Sequence, residues 1–177
     1  MQADFPILDY DALDRLAREG VRFSHHFSNC APCAPGRASL LTGCYANRVG
    51  IRGALAPSAR HGLDPDEHTI AEVVKPLGYA TACYGKWHLG HLETFAPTRQ
   101  GFDEYYGVPY SNDMSQFHRN ADTKYKFRLP LMRGNEVIEW EPDQALLTKN
   151  STNEAVRFID EHADEPFFAY VPYSMPH

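Results

Sequence analysis

Cysteine is scarce in this chain: 4 residues in 177, at Cys30, Cys33, Cys44 and Cys83. They are too few and too clustered for a disulfide scaffold, and spacing alone does not pair them. Positive charge is also short. Lys and Arg number 17 against 23 Asp and Glu, a net charge of −6, which argues against a broad basic face for nucleic acid and makes any anion site local. No apolar run reaches the length of about eighteen residues that a membrane-spanning helix needs. Met1 to Asp9 lacks the charged and apolar blocks of a signal peptide, which decides nothing about a leader upstream of it. There is no internal repeat and no low-complexity tract.

What is present suits an ordinary folded domain: 43% hydrophobic, 23% charged and 12% aromatic residues are globular proportions, and the length fits one domain. Leu13, Leu16 and Ala17 fall at helical spacing between Asp9 or Asp11 as caps and Gly20 as a stop. Val21 to Phe27 alternates as a short strand or an extended segment does. Pro35 suits a first helical turn, and Ala38, Leu40 and Leu41 carry that helix to Gly43. Arg52 to Asp66 reads as loop. Thr69-Ile-Ala-Glu72 is a capping box, with Pro76 ending or kinking its helix. Tyr79 to Tyr84 and Pro166 to Tyr173 are apolar enough for buried strands, Asn150 to His162 is helical, and Gly101 to Glu141 reads as an irregular inserted loop. Alternating helices and buried strands predict an α/β three-layer sandwich around a largely parallel sheet, with ligands beyond the strands' carboxyl ends.

Polar groups gather at the ends of these elements: Cys33 and Arg37 at a helix start, Lys86 and His88 after one strand, His177 after another. This pattern suits an oxyanion. A helix N-terminus offers free N–H groups and a positive dipole end, arginine grips two oxygens at once, lysine adds a compact charge, and histidine moves a proton near neutral pH. Cys30-Ala-Pro-Cys33 also spells C-x-x-C, the spacing of a redox pair or half a zinc site, although no second C-x-x-C follows and His25 and His26 lack zinc-finger spacing. Cys44 and Cys83 read as core residues and His91 as structural or surface. Asn150-Ser-Thr152 is a glycosylation sequon by pattern alone.

The residue order is more specific. Cys33-Ala-Pro35-Gly-Arg37-Ala-Ser-Leu-Leu41-Thr42-Gly43 resembles the C-x-P-x-R signature of the type I sulfatases. Gly78-Tyr79-Ala-Thr81-Ala-Cys-Tyr-Gly85-Lys86-Trp87-His88-Leu89-Gly90 resembles their second signature, and the likeness runs from Leu13 to Pro176-His177. The resemblance implies the alkaline-phosphatase-like fold and an arylsulfatase or glycan sulfatase activity. It implies conversion of Cys33 by a maturase to formylglycine, whose hydrate attacks the sulfur of a sulfate ester and then expels sulfate by losing its second proton. In that scheme Cys33, as formylglycine, also contacts Ca²⁺. Arg37 steadies it and helps hold metal and oxyanion, Lys86 and Ser111 bind sulfate oxygens, His88 is the base that restores the aldehyde, and His177 both contacts sulfate and protonates the leaving alcohol. The partners implied are a sulfated small molecule or glycan and the maturase, in an exported compartment, periplasmic, extracellular or lysosomal.

Members of the family begin with a strand ending in paired aspartates that bind Ca²⁺. Nothing before Leu13 resembles it, Asp9 and Asp11 standing in another context, and a later Asp-Asn pair would fall beyond His177. The resemblance therefore implies that residues 1–177 are part of an N-terminal catalytic domain, with little calcium-dependent activity of their own. Two other readings stay open: a formylglycine-dependent phosphodiesterase or phosphonate monoester hydrolase, and an inactive fragment that keeps only the anion pocket.

Overall fold

A computed structural model of the chain describes residues 11–117 and 126–175. Its helices are α1 (Asp11–Glu19), α2 (Cys33–Thr42), α3 (Ile70–Val74) and α4 (Leu147–Glu161). Its strands are β1 (Ala80–Lys86), β2 (Glu104–Val108), β3 (Pro130–Arg133), β4 (Glu136–Trp140) and β5 (Phe167–Tyr170), in one open sheet ordered β4-β3-β2-β1-β5. β1 lies at the sheet's parallel centre, paired with β2 on one side and β5 on the other. β3 and β4 extend the sheet antiparallel, which makes it mixed.

Local chemistry sets the helix bounds. α2 has Pro35 in its first turn and stops at Gly43, whose left-handed backbone (φ 67°) turns its N–H back to the Ser39 carbonyl at 2.9 Å. α3 opens on the expected capping box: the Thr69 hydroxyl accepts from the Glu72 N–H at 3.3 Å, and the Thr69 N–H donates to the Glu72 carboxylate at 2.9 Å. Pro76 then falls in a 3-10 turn, Lys75–Leu77, that ends the segment at Gly78.

Alternation along β1 feeds two cores. Cys83 points to the face covered by α2 and α3, where it meets Ala34, Ala38, Leu41, Ala71 and Tyr105. Ala82 and Tyr84 point to the other face, against Tyr106, Val108 and the α4 residues Leu147, Ala155 and Phe158. Helices thus cover both faces, and β1 is buried on both sides. Each large apolar side chain so buried contributes about 1.5–3 kcal/mol. Phe158 anchors α4, meeting Tyr84 and Phe167 edge to face, each at 5.9 Å between centroids. Beside it Arg157 pairs with Glu104 of β2 and with Glu154 and Glu161 of its own helix. This cluster is part exposed, so each pair adds at most about 1 kcal/mol.

Two expectations need correction. Val21 to Phe27 forms no strand: no described residue bonds to it in a ladder, and Val21, Phe23 and Phe27 are exposed. Alternation marks faces, but a strand also needs a neighbour to receive its hydrogen bonds. The stretch from Gly101 to Glu141 is no inserted loop, for it supplies β2, β3 and β4. The β3–β4 hairpin closes through Gly134-Asn135, with Gly134 at φ 56° and Arg133 opposite Glu136. Gly-Asn is a two-residue hairpin signal. The strand after it carries no matching signal, for β4 is exposed at every position and shows no alternation.

One contact fixes how the central strands end. Gly85 of β1 stands opposite Gly107 of β2, and a Cβ at Gly107 would lie 1.8 Å from the Gly85 carbonyl oxygen. A Cβ at Gly85 would fall 2.4 Å from the Pro172 oxygen. These glycines let three chain segments converge just before Lys86 and Ser111. Gly107→Ala is therefore expected to cost about 3 kcal/mol in urea unfolding, at the upper end of overpacking penalties. A cost below about 0.5 kcal/mol would show that the strands can separate freely there.

Candidate active site

The site lies where β1, β2 and β5 deliver their carboxyl ends to the start of α2. The tripeptide Lys86-Trp87-His88 is tied on both sides. The Lys86 N–H donates to Pro172 O at 2.8 Å, the Trp87 N–H to Val108 O at 3.0 Å, and the His88 N–H to Pro109 O at 3.2 Å. Trp87 is buried, and its indole N–H reaches the Phe95 carbonyl at 2.8 Å. Anchoring Trp87 on that side leaves Lys86 and His88 to turn toward α2.

Lys86 is fully buried and donates from Nζ to the Ser111 hydroxyl at 2.9 Å. Ser111 is itself buried, just beyond β2. Burial pushes the Lys86 pKa down; Cys33 and Asp113 nearby oppose that, while Arg37 adds to it. Arg37, on the second turn of α2, donates from Nη1 to the Lys86 carbonyl at 2.6 Å and stands 3.5 Å from the Tyr170 hydroxyl. Its Nε is buried and has no hydrogen-bond partner among the described residues. A buried guanidinium N–H without an acceptor costs about 1–3 kcal/mol. An oxyanion entering here would relieve that cost.

His88 is strained and buried at once. Its φ of 60° lies in the left-handed region, at a cost of roughly 1–2 kcal/mol for a residue with a Cβ. The surroundings enforce it: ring Nε2 lies 3.0 Å from the Leu55 carbonyl oxygen, and Nδ1 lies 3.1 Å from Cys33 Sγ. A carbonyl only accepts, so Nε2 carries the hydrogen and Nδ1 presents its lone pair to Cys33. Burial pushes the His88 pKa down to about 3, and the Lys86 charge pushes the same way. The imidazole is therefore a neutral acceptor at ordinary pH.

Cys33 is the first residue of α2 and half buried, and no side chain caps the helix start. The fold thus brings Cys33, Arg37, Lys86, His88 and Ser111 into one connected cluster beneath the cleft that Cys33 and Arg37 line, with the helix dipole, two fixed cations and one neutral proton acceptor. This set can hold a tetrahedral oxyanion and move a proton at position 33. His177 lies outside the described residues. Motif reading missed the Leu55 carbonyl, Tyr170 and Asp113. Leu55 belongs to a stretch legible only as loop, and a backbone oxygen leaves no mark in a sequence.

Comparison with known proteins identifies the family. A family model described as Sulfatase matches residues 3–177. Arylsulfatase G of Mus musculus is 35% identical over 192 residues, covering 96% of this chain and 37% of its own length. N-acetylgalactosamine-6-sulfatase of Mus musculus is 36% identical over 177 residues, 89% of this chain and 33% of its own. The chain thus spans little more than a third of such relatives. Among solved structures, that of Ps i-CgsB aligns with a TM-score of 0.77 and 28% identity over 94% of this chain and 40% of its own. BT4656, solved in complex with its substrate D-glucosamine-2-N,6-O-disulfate, gives 0.67 and 25% over 94% of this chain and 29% of its own.

The state of His88 has a consequence for stability. Its folded pKa lies below its unfolded value of 6.5, so only the unfolded chain takes up that proton as pH falls. The contribution of His88 is complete above pH 6.5 and is lost progressively as pH falls toward 3. His88→Gln is expected to flatten the acid limb of stability in urea titrations over this window. An unchanged difference between the two proteins across it would show that His88 protonates freely in the fold.

Proposed function

Because the chain belongs to the sulfatase family, we propose that its protein hydrolyses sulfate esters at the pocket formed by Cys33, Arg37, Lys86, His88 and Ser111. The observation that carries this reading is the contact of His88 Nδ1 with Cys33 Sγ at 3.1 Å, made beside the buried Lys86 and the half-buried Arg37. A lone buried cysteine needs neither the acceptor nor the cations; a nucleophile that attacks an anionic ester needs both.

The family implies a formylglycine and a metal ion. Formylglycine, made from Cys33 by a maturase, supplies in its hydrated form an oxygen nucleophile and a second ionisable hydroxyl. The surroundings fit it: His88 offers a lone pair toward position 33, and the Arg37 Nε faces no acceptor of its own. In this reading Lys86 and Arg37 hold the oxygens of the ester's sulfate group. Ser111 orients Lys86 and adds a hydroxyl contact, and His88 takes the proton from the group at position 33. His177 is assigned the protonation of the leaving alcohol.

The calcium expectation fits the described residues less well. Among them, three metal-binding side chains come together at Glu104, Glu161 and His162 rather than at Cys33, and there Arg157 already pairs both carboxylates.

For the substrate we favour a sulfated sugar over a simple aryl sulfate. N-acetylgalactosamine-6-sulfatase is among the relatives, and BT4656 was solved with a sulfated glucosamine. We assign residues 1–177 to the catalytic domain and the protein to an exported compartment. Among the described residues no helix is long and apolar enough to cross a membrane.

The test uses the complete reading frame co-expressed with a maturase. Cys33→Ala is expected to abolish hydrolysis of an aryl sulfate. Arg37→Ala should lower kcat/KM on the order of 10²-fold or more, whereas Arg52→Ala, in the exposed loop, should stay within about twofold. Equal losses at Arg37 and Arg52 would sink the site assignment. Turnover of a phosphate diester with none of any sulfate ester would replace the sulfatase reading with the phosphodiesterase one.

A further inference from the structure

The chemistry proposed for Cys33 leaves Cys30 without a role, yet the fold keeps the two together. Cys30 and Cys33 are both part exposed, both free thiols, and both line one open cleft with Ser28, Arg37 and Tyr170. The chain bends at Ala31 and Pro32. The Cys30 carbonyl accepts from the Ser28 hydroxyl at 2.9 Å and lies 3.5 Å from where a Cβ on Gly36 would stand. Cys30 is thereby folded back against the first turn of α2, where Cys33 begins the helix. A larger residue at position 36 would crowd that fold-back, its Cβ meeting the Ser28 Oγ at 3.2 Å.

We propose that Cys30 and Cys33 are a thiol–disulfide exchange pair, a modification site in which a small disulfide such as oxidised glutathione closes a Cys30–Cys33 bridge. C-x-x-C at a helix start is the arrangement in which the second thiol can resolve an adduct on the first. Cys33 sulfur attacks one sulfur of the oxidant, forming a mixed disulfide and releasing one thiol. Cys30 sulfur then attacks Cys33 sulfur, breaking the mixed disulfide and releasing the second thiol. The cysteines lose two electrons and the oxidant gains them, and the two thiol protons leave on the released thiols. Cys44 and Cys83 stand apart from the cleft, Cys83 buried between the sheet and α2. The bridge also bears on the proposed function, because a Cys33 held in a disulfide is withheld from conversion to formylglycine. The exchange itself needs neither maturase nor sulfate ester, so its failure and the failure of the sulfatase reading are separate results.

The experiment equilibrates the unconverted chain with oxidised glutathione, quenches with acid and maps the cysteine peptides by mass spectrometry. The expected product is a peptide carrying Cys30 and Cys33 less two hydrogens, with little glutathione retained. In Cys30→Ser the glutathione adduct on Cys33 should instead accumulate, on the order of tenfold above wild type. Cys44→Ser should behave as wild type, and thermal melts of both variants confirm that they are folded. Equal adduct on Cys33 in wild type and Cys30→Ser, or a bridge that joins Cys33 to Cys44, would overturn the proposal.

Discussion

A lysine ammonium buried at the carboxyl end of β1 sets the conditions for the rest of the site. Removing such a charge from water costs several kcal/mol unless other groups replace its hydration. Here the Ser111 hydroxyl does part of this, and it can do so only because β1 and β2 approach closely enough at Gly85 and Gly107 for their ends to meet. Arg37 is placed by the same geometry, bonded to the Lys86 carbonyl rather than to a carboxylate. Two cations thus share a pocket that leaves a guanidinium N–H without an acceptor. In the proposed function an anion with several oxygens supplies that acceptor, and the fixed cations stabilise its charge with little reorganisation.

His88 belongs to the same balance. Buried beside Lys86, the imidazole stays neutral, and the Leu55 carbonyl decides which nitrogen keeps the hydrogen. The left-handed backbone at His88 is the cost of turning the ring toward Cys33 while Trp87, one residue earlier, stays in the core. Strain held in place by a backbone hydrogen bond on each of three neighbouring residues is more economical than a flexible loop, because in the proposed reaction the acceptor is already aimed.

Much of this was legible in the sequence because the controlling interactions are local. Thr69 and Glu72 cap a helix within one turn, Pro35 and Gly43 bracket another, and the apolar run before Lys86 marks a buried strand. Cys33, Arg37, Lys86, His88 and Ser111 could be named from two signatures and a short downstream motif, and the fold brings them together. What was not legible depends on partners distant in sequence. Val21 to Phe27 carries a strand's pattern without a neighbour among the described residues to bond with. β4 is a strand because β3 lies beside it, not because its own residues alternate. The orientation of His88 rests on the backbone of Leu55, and Arg37 leans toward Tyr170, 133 positions away. The Gly134-Asn135 turn is the one missed element whose signal was present.

The proposed chemistry depends most on position 33 carrying an aldehyde rather than a thiol. Peptide mass spectrometry of residue 33, on protein made with an active maturase under reducing conditions, examines this without reference to any substrate. Formylglycine at position 33 is expected as the major species, with Cys30, Cys44 and Cys83 unaltered. An unmodified Cys33 thiol throughout the recovered protein would contradict it.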